Sequence, residues 1–496
     1  MRQQDGLTLF LEIQNLFGDS RYGNHIGGGK QVTFILINAS PLVRPHNGSV
    51  RVVLVSTYEL GRQPFGLASP AAWLRADGHE VTLADVSCSP LPQQAVAEAE
   101  LIAFFLPMHT ATRLFQKLVD RIREANPRAH LCAYGLYAPL NEELLRRAGV
   151  ATVIGGEFEQ GLQDLARRLG AGTSPLAQIE PLISLARQQF LAPDRTGLPP
   201  LAVYAQLRTE ASTRRVGYTE ASRGCKHLCR HCPVVPVYRG LFRIVQADVV
   251  LEDIRRQVAV GAEHITFGDP DFFNGPGHAM PIVEALHREW PDLTYDVTIK
   301  VEHLLQHRDL LPGLKRTGCL FVTSAVESLD DAVLERLAKG HTRADFEECL
   351  RTMRAVELPL SPTFIPFTPW TTLASYRDFL RALLQLELAD QVAPVQLAIR
   401  LLLPEGSLLL DLPEVRALIE PFDARALCYR WRNSDPRLDT LCASIQETIK
   451  REESRQRSRW EIFRAIWDLA QAGEFPVETP MLSRATIPYL TEPWYC

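Results

Sequence analysis

The stretch RGCKHLCRHCPV places three cysteines, Cys225, Cys229 and Cys232, four and three positions apart. Thiolates are soft ligands, and closely spaced ones on a loop suit zinc or an iron–sulfur cluster. A structural zinc ion needs a closed shell of four, which His227 or His231 would complete. Zinc modules, however, normally use two separated ligand pairs to staple a small fold, whereas this triplet stands alone in a long chain. On a four-iron cluster, three thiolates leave one iron open to bind and activate a further molecule.

The chain as a whole limits what such a site serves. Its 496 residues exceed one ordinary core and imply two or three domains. An apolar fraction of 46% and a charged fraction of 22% are average for a globular protein, and a net charge of -5 does not favour nucleic acid as a partner. No apolar run approaches the roughly 20 residues that span a bilayer. LTLFLEIQNLF is short, contains Glu12 and lacks a basic leader, so no membrane anchor is expected and the location read is cytoplasmic. Ten cysteines are too dilute for a disulfide scaffold and point to a reducing compartment.

Residues 1–49 show no sustained period and read as a disordered or mis-annotated leader, with Val50 a candidate start. From Arg51, short apolar strands (RVVLVST, EVTLADV, ELIAFFL, HLCAYG, ATVIGG) alternate with amphipathic helices, one carrying Leu114, Phe115, Leu118, Val119 and Ile122. This alternation predicts an α/β fold: a doubly wound, flavodoxin-like domain over 50–172 whose ligand lies beyond the carboxyl ends of its strands. Residues 173–214, rich in Pro, Arg and Thr, read as a linker that packs between domains. Over 215–430 a second series (VGYTEAS, HITFGD, LTYDVTIK, CLFVTSAVES, LPLSPTFIPF, VQLAIRLLLP) predicts six βα units and a partial barrel, with functional groups at the strands' carboxyl ends. The triplet follows the first of these strands. Residues 431–496 read as a helical extension with one long polar helix through Leu469.

A CxxxCxxC motif behind a first barrel strand resembles the radical S-adenosylmethionine (SAM) superfamily. That resemblance implies a [4Fe-4S] cluster on Cys225, Cys229 and Cys232, with SAM chelating the open iron. It further implies an external electron donor of flavodoxin or ferredoxin type and cleavage of SAM to a 5′-deoxyadenosyl radical. His231 stands where the family often has an aromatic residue, and its flat imidazole suits the same packing beside adenine. FGDPDF ends the second strand where the family has its glycine-rich, acidic motif for the SAM amine; Gly268, Asp269 and Asp271 fit, and Pro270 departs from it. Lys300 and Glu302 end the third strand, and Glu327 and Ser328 end the fourth, within reach of ribose or the methionine part. Arg400 lies in the sixth expected strand and needs an anionic partner, either the SAM carboxylate or a neighbouring glutamate. Each of these residues, taken singly, fits a structural ion pair as well.

The first domain is similar to the cobalamin-binding domain that precedes the barrel in many radical SAM enzymes. The likeness rests on STYELGRQPFGLASPAAWLRADGHEVTLADV and GGEFEQGL. The Asp-x-His-x-x-Gly motif for a lower axial histidine is missing, as it commonly is in such relatives. The resemblance places a corrinoid face on Tyr58, Gly61, Gly66, His109, Gly135, Tyr137, Gly156 and Glu157, with His109 a cobalt ligand or a pocket residue. The expected function is a cobalamin-dependent radical SAM enzyme, with methyl transfer to an unactivated carbon as one outcome and a small-molecule or peptide substrate. Rearrangement or cyclisation with a structural first domain, or a non-catalytic zinc- or corrinoid-binding protein, are the alternatives. FTPWTT and EPWYC resemble a radical SAM subfamily named for a Cys-Sec-Ala-Glu-Pro or Cys-Cys-Ala-Glu-Pro tail. The expectation is that a selenocysteine codon follows Cys496.

Overall fold

The computed structural model describes residues 48–172, 180–209, 212–475 and 488–491. The leader up to residue 47 and Cys496, on which the selenocysteine expectation rests, lie outside the described residues.

The first sheet contains β1 (Arg51–Ser56), β2 (Glu80–Asp85), β3 (Leu101–Phe105), β4 (His130–Tyr134), β5 (Thr152–Gly156) and β6 (Ile183–Ser184). Their order is β2-β1-β3-β4-β5-β6, and every pair is parallel. Runs such as LIAFF are fully buried because helices cover both faces of a parallel sheet. Within β1 the pleat separates the two cores. Val53 and Val55 pack with Phe115, Leu118 and Ile122 of α3 (His109–Ala125), and Val52 and Leu54 pack with Leu67 and Leu74 of α1 (Phe65–Ala76) and with Leu162 of α5 (Glu159–Gly170). Two short helices, α2 (Gln93–Glu98) and α4 (Glu142–Arg147), complete the unit. The strand order reverses around β1, which puts the crevice at its carboxyl end.

The second sheet runs β14-β13-β12-β11-β8-β7-β17. Five strands, β8 (Thr213–Thr219), β11 (His264–Phe267), β12 (Thr294–Thr298), β13 (Cys319–Glu327) and β14 (Leu360–Phe364), are parallel and form a half-barrel. β7 (Gln206–Arg208) and β17 (Tyr489–Leu490) extend its edge antiparallel. The sixth barrel strand expected at VQLAIRLLLP is reduced to a turn of 3-10 helix, Pro394–Leu397, and one bridge between Phe367 and Arg400. The Gln396 side chain takes the strand's place, accepting a hydrogen bond from the Phe364 N–H on the edge of β14 at 3.0 Å. The expected linker gives one strand to each sheet.

The long C-terminal helix is two helices, Pro436–Ser454 and Arg459–Ala470. Ser458 and Glu461 form a capping box that restarts the chain after the break. Their apolar faces, including Ile445, Ile449, Phe463 and Trp467, belong to the barrel core. Among the described residues, no helix is long and apolar enough to cross a membrane.

Candidate functional site

Strand β9 (Ser222–Gly224) pairs antiparallel with β10 (Phe242–Ile244), and the chain between them carries the triplet followed by α6 (Val234–Tyr238). Gly224 has φ +78°, and a Cβ there would stand 2.3 Å from the Tyr238 ring, so only glycine lets the chain turn into the loop. Asn274 accepts from the Lys226 N–H at 3.1 Å and donates to the Gly224 carbonyl at 3.3 Å, pinning the first half of the loop. The Arg230 N–H bonds the Leu337 carbonyl at 2.9 Å, pinning the second half. Burial pushes the Cys232 thiol up to about 12 and also raises Cys225, and the nearby cysteines raise both further. In the metal-free chain these cysteines are therefore neutral thiols, and a metal that binds them must displace their protons.

A ring of polar side chains surrounds the loop. His231 Nε2 lies 3.1 Å from Glu327, and Lys339 reaches the same carboxylate at 3.4 Å. His227 lies between Asp271 at 3.6 Å and Glu302 at 3.5 Å, and Lys300 approaches Glu302 at 3.3 Å. Cys225, His227 and Asp271 present ligand atoms within 4.8 Å of one another, a group that Cys229 and Cys232 do not join. Burial alone would raise Glu327, but Lys339 and His231 outweigh it and hold the carboxyl at about 2. Lys339 is raised in turn, burial being overcome by Glu327, Cys229 and Cys232. Much of the ring has unused hydrogen-bonding capacity. His231 Nδ1 and both nitrogens of His341 are buried without an aligned hydrogen bond among the described residues, while His227 Nε2, Asp271 Oδ2 and His303 Nδ1, which also lack one, face each other at 3.6 and 2.7 Å. His303 Nδ1 lies 2.7 Å from Asp271 Oδ2 in an ion-pair contact that lacks hydrogen-bond alignment. Orphaned buried groups on this scale are costly without a ligand. The donor set fits a cluster on the three thiolates with a polar cofactor beside it.

His227, His303, Lys339 and His341 were not among the expected SAM residues. Four that were expected lie apart from the ring. Both oxygens of Asp269 are taken by the Ala221 N–H at 2.9 Å and the Ser222 hydroxyl at 2.5 Å, and burial pushes its carboxyl up to about 7. Asp269 thus holds the entry to the loop. Gly268 makes room for the Tyr218 hydroxyl, which would stand 1.8 Å from a Cβ. The Ser328 hydroxyl accepts from the Asp330 N–H at 3.0 Å at the end of β13. Arg400 pairs with Asp439 at 2.5 Å and stacks 3.6 Å from the Trp431 ring centroid, so its anionic partner is a residue of the C-terminal helices.

Of the expected corrinoid face, Tyr58, Gly61, His109, Gly135 and Tyr137 follow the carboxyl ends of β1, β3 and β4, and Gly156 is the last residue of β5. Ser56 Oγ, Glu59 Oε2, Gln63 Oε1 and Asp85 Oδ2 are buried at the same edge without partners among the described residues, which fits a ligand with many amide groups. Three expectations are corrected. His109 Nε2 is engaged at 2.6 Å by the Ala426 carbonyl, which fixes the ring as a pocket residue and takes that nitrogen from cobalt. Gly66 lies inside α1, where the Phe105 ring occupies the space of a Cβ. Glu157 faces the barrel, where it meets Arg223 at 3.4 Å and accepts from the Tyr238 hydroxyl at 3.0 Å.

Arg223 is the centre of this seam. Its guanidinium makes a two-point contact with Glu159 at 2.7 and 3.0 Å and donates to Glu220 at 2.7 Å. The rings of Phe158 and Phe190 each lie 5.0 Å from it. The seam therefore ties the carboxyl edge of the first sheet to both flanks of the cysteine loop. Beside it, inside the half-barrel, Arg62, Asp296, Thr298, Thr323, Ser361 and Thr363 line a cavity of about 310 Å³. A larger cleft of about 470 Å³ lies among Arg51, Glu80 and Glu98 at the amino ends of β1 and β2 and touches none of these groups.

Residues 219–383 match the family model described as radical SAM superfamily. The chain thus carries a radical SAM domain. Its first domain matches a B12 binding domain over residues 51–166. Among curated relatives, the hopanoid C-3 methylase of Methylococcus capsulatus is 26% identical over 30% of this chain and 29% of its own length. The tRNA-2-methylthio-N(6)-dimethylallyladenosine synthase of Polynucleobacter asymbioticus is 24% identical over 44% of this chain and 51% of its own. The chain thus spans about half or less of these relatives. The cobalamin-dependent S-adenosylmethionine radical enzyme OxsB with aqua-cobalamin bound superposes with a TM-score of 0.63 at 15% identity, over 80% of this chain and 66% of OxsB. TsrM from Kitasatospora setae, a radical S-adenosylmethionine methyltransferase solved with tryptophan and a SAM analogue, gives a TM-score of 0.56 at 18% identity, over 74% and 76%. These likenesses establish the radical SAM half-barrel behind a B12-type sheet.

Proposed function

We propose that the protein is a cobalamin-dependent radical SAM enzyme that modifies a polar substrate, with methyl transfer to an unactivated carbon as the favoured reaction. One observation carries this reading. The cysteine triplet sits on a half-barrel edge that Arg223 and Tyr238 fasten to the carboxyl edge of a B12-type sheet, so a corrinoid and a cluster would share one chamber. A [4Fe-4S] cluster on Cys225, Cys229 and Cys232 supplies an electron for reductive cleavage of SAM when bound.

The chain's own groups do the rest. Lys339 and Lys300 bring positive charge towards the thiolates, while Asp271, Glu302 and Glu327 offer acceptors to an amine and to ribose hydroxyls. The buried free nitrogens of His231 and His341 supply further donors or acceptors. The cavity is walled by Thr298, Thr323, Ser361, Thr363 and Arg62 together with Phe321, Pro362, Val395, Ile462 and Leu490, so it suits a substrate that presents polar groups beside an apolar body. An external one-electron donor is part of the proposal.

Anaerobic reconstitution tests it. Expected are about four irons per chain, retained corrinoid, and 5′-deoxyadenosine formed from SAM with a reductant. Zinc in place of iron, with no 5′-deoxyadenosine, would overturn the reading.

A further inference from the structure

We propose that the substrate is a free amino acid with an apolar side chain, held in the half-barrel cavity by its carboxylate at Arg62 and its ammonium group at Asp296. This deepens, and rests on, the reading of the chain as a radical SAM enzyme. At about 310 Å³ the cavity is near the lower end of the roughly 300–1,000 Å³ that small-molecule sites enclose, so one small molecule meets the groups that line it.

Arg62 is delivered to the cavity by its turn and is not needed to hold that turn. Leu60 and Gly61 have φ +51° and +68°, and the Arg62 N–H donates to the Glu59 carbonyl at 2.9 Å, a tight turn in which Leu60 bears the strain of a left-handed backbone. The Ala205 N–H donates to the Gly61 carbonyl at 2.8 Å, and the Gln63 side chain donates to the Pro199 carbonyl at 2.8 Å, so the chain is fastened on both sides of Arg62. The guanidinium lies 4.9 Å from the Tyr218 ring centroid, its Nε is buried without a hydrogen bond, and no carboxylate pairs with it among the described residues. Glu59, the acid of the same turn, is driven towards its neutral form, since burial raises its carboxyl well above the ordinary value. The other arginines of the cavity are engaged: Arg457 pairs with Glu461 at 2.8 Å, and Arg459 donates to the Gln391 carbonyl at 2.9 Å. A guanidinium fixed over a ring and left without an acid is a fork for a carboxylate.

Asp296 offers the opposite charge on the same cavity. Both of its donors, His264 Nε2 at 2.9 Å and the Thr266 hydroxyl at 2.6 Å, bind Oδ1. Oδ2 has no hydrogen bond among the described residues and is left to the cavity. Phe321, Ile462 and Leu490 give the cavity an apolar wall as well. A neutral sugar or a fatty acid would leave at least one of the two charges unmatched in a largely enclosed space, which is costly. A molecule that carries an anion, a cation and an apolar body at this size is an amino acid.

The test is equilibrium dialysis of the reconstituted full chain, with SAM present, against radiolabelled free amino acids. At least one apolar member is expected to be retained, and its methyl ester, which lacks the anion, and its N-acetyl derivative, which lacks the cation, should each bind weaker by about tenfold or more. Arg62→Gln should weaken the free amino acid by a similar factor and leave the ester unaffected. Asp296→Asn should weaken the free amino acid and leave the N-acetyl derivative unaffected, while Arg62→Lys should keep part of the binding. Iron and corrinoid content should match the parent in all three variants, which separates lost contacts from misfolding. Retention of no amino acid by a parent that forms 5′-deoxyadenosine would overturn the assignment, as would equal retention of the ester and the N-acetyl derivative. Loss of corrinoid on Arg62→Gln would also overturn it, by giving the guanidinium to the corrinoid. A parent that retains the amino acid yet forms no 5′-deoxyadenosine would instead sink the radical reading and leave the cavity a binding pocket.

Discussion

Glu157 and Glu327 are both buried glutamates near the cysteine loop, yet their protonation is driven in opposite directions. Burial, reinforced by Glu159, pushes Glu157 up to about 7 despite Arg223, whereas Lys339 and His231 overcome burial to hold Glu327 at about 2. In the seam, three carboxylates share the Arg223 guanidinium. Around the loop, Lys300, Lys339 and three histidines surround Asp271, Glu302 and Glu327. The seam is short of positive charge but its hydrogen bonds are largely made; the ring has positive charge and unmade hydrogen bonds. A seam of that kind holds two domains together and needs nothing further. A ring of that kind is completed by anionic thiolates and a ligand.

The largest effect separates the two regions outright. Cys229→Ala is expected to reduce 5′-deoxyadenosine formation to background and to lower bound iron, while the thermal midpoint of the metal-free chain stays near that of the parent. Arg223→Met does the reverse at first. It strands Glu157, Glu159 and Glu220 as buried, uncompensated acids, and removing one partner of such a group costs about 3–5 kcal/mol. The midpoint of the metal-free chain should fall accordingly, and adding Glu159→Gln should recover part of the loss. A metal-free Arg223→Met chain as stable as its parent would remove the seam from the account of how the loop is held.

Acid and base sharpen the contrast. A free glutamate ionises near 4.5, so as pH rises from 4.5 to 7 the unfolded chain loses the Glu157 proton before the folded one does. Stability contributed by the neutral Glu157 is therefore lost across that window, up to about 3 kcal/mol, and levels off above it. Glu327 contributes with the other sign: its stabilisation is present above 4.5 and lost as pH falls towards 2. Glu157→Gln should flatten the decline between pH 4.5 and 7 in denaturant titrations of the metal-free protein. An unchanged slope would mean that Glu157 is already ionised in the fold.

How much of this was legible in the sequence follows from how local each signal is. The triplet, the alternating strands and the carboxyl-edge loops depend on neighbours in sequence, and the structure has them in place. His303 reaches the site from the helix Val301–Gln306 after β12 and Lys339 from the turn behind the helix Asp331–Leu337, so no pattern near the cysteines announces them. Glu157 sits in a glycine-rich strand end that suits a cofactor loop, and only the fold reveals that Arg223 comes to meet it. The apolar run VQLAIRLLLP has strand composition, but a side-chain amide from Gln396 does the edge pairing that a backbone ladder would have done. The single long C-terminal helix overlooked the Ser458–Glu461 box, a helix start that was visible in the sequence.

The smallest change probes the other side of the loop. Tyr238 follows the third cysteine and donates its hydroxyl to Glu157, a bond that favours the carboxylate and so lowers the Glu157 pKa. Tyr238→Phe keeps the ring that packs against Gly224 and removes only that bond, at a cost of about 1 kcal/mol. The expected signature is a small loss of midpoint together with a shift of the pH-dependent window above 7, since Glu157 would hold its proton more tightly. Combined with Glu157→Gln, the shift should vanish, because the group that titrates is gone. If Tyr238→Phe moved the window in the Glu157→Gln background as well, the titration would belong to another seam carboxylate, Glu220 being the next candidate because burial raises it too. The loop would then be fastened to the B12-type sheet chiefly through Arg223, with α6 a passive flank.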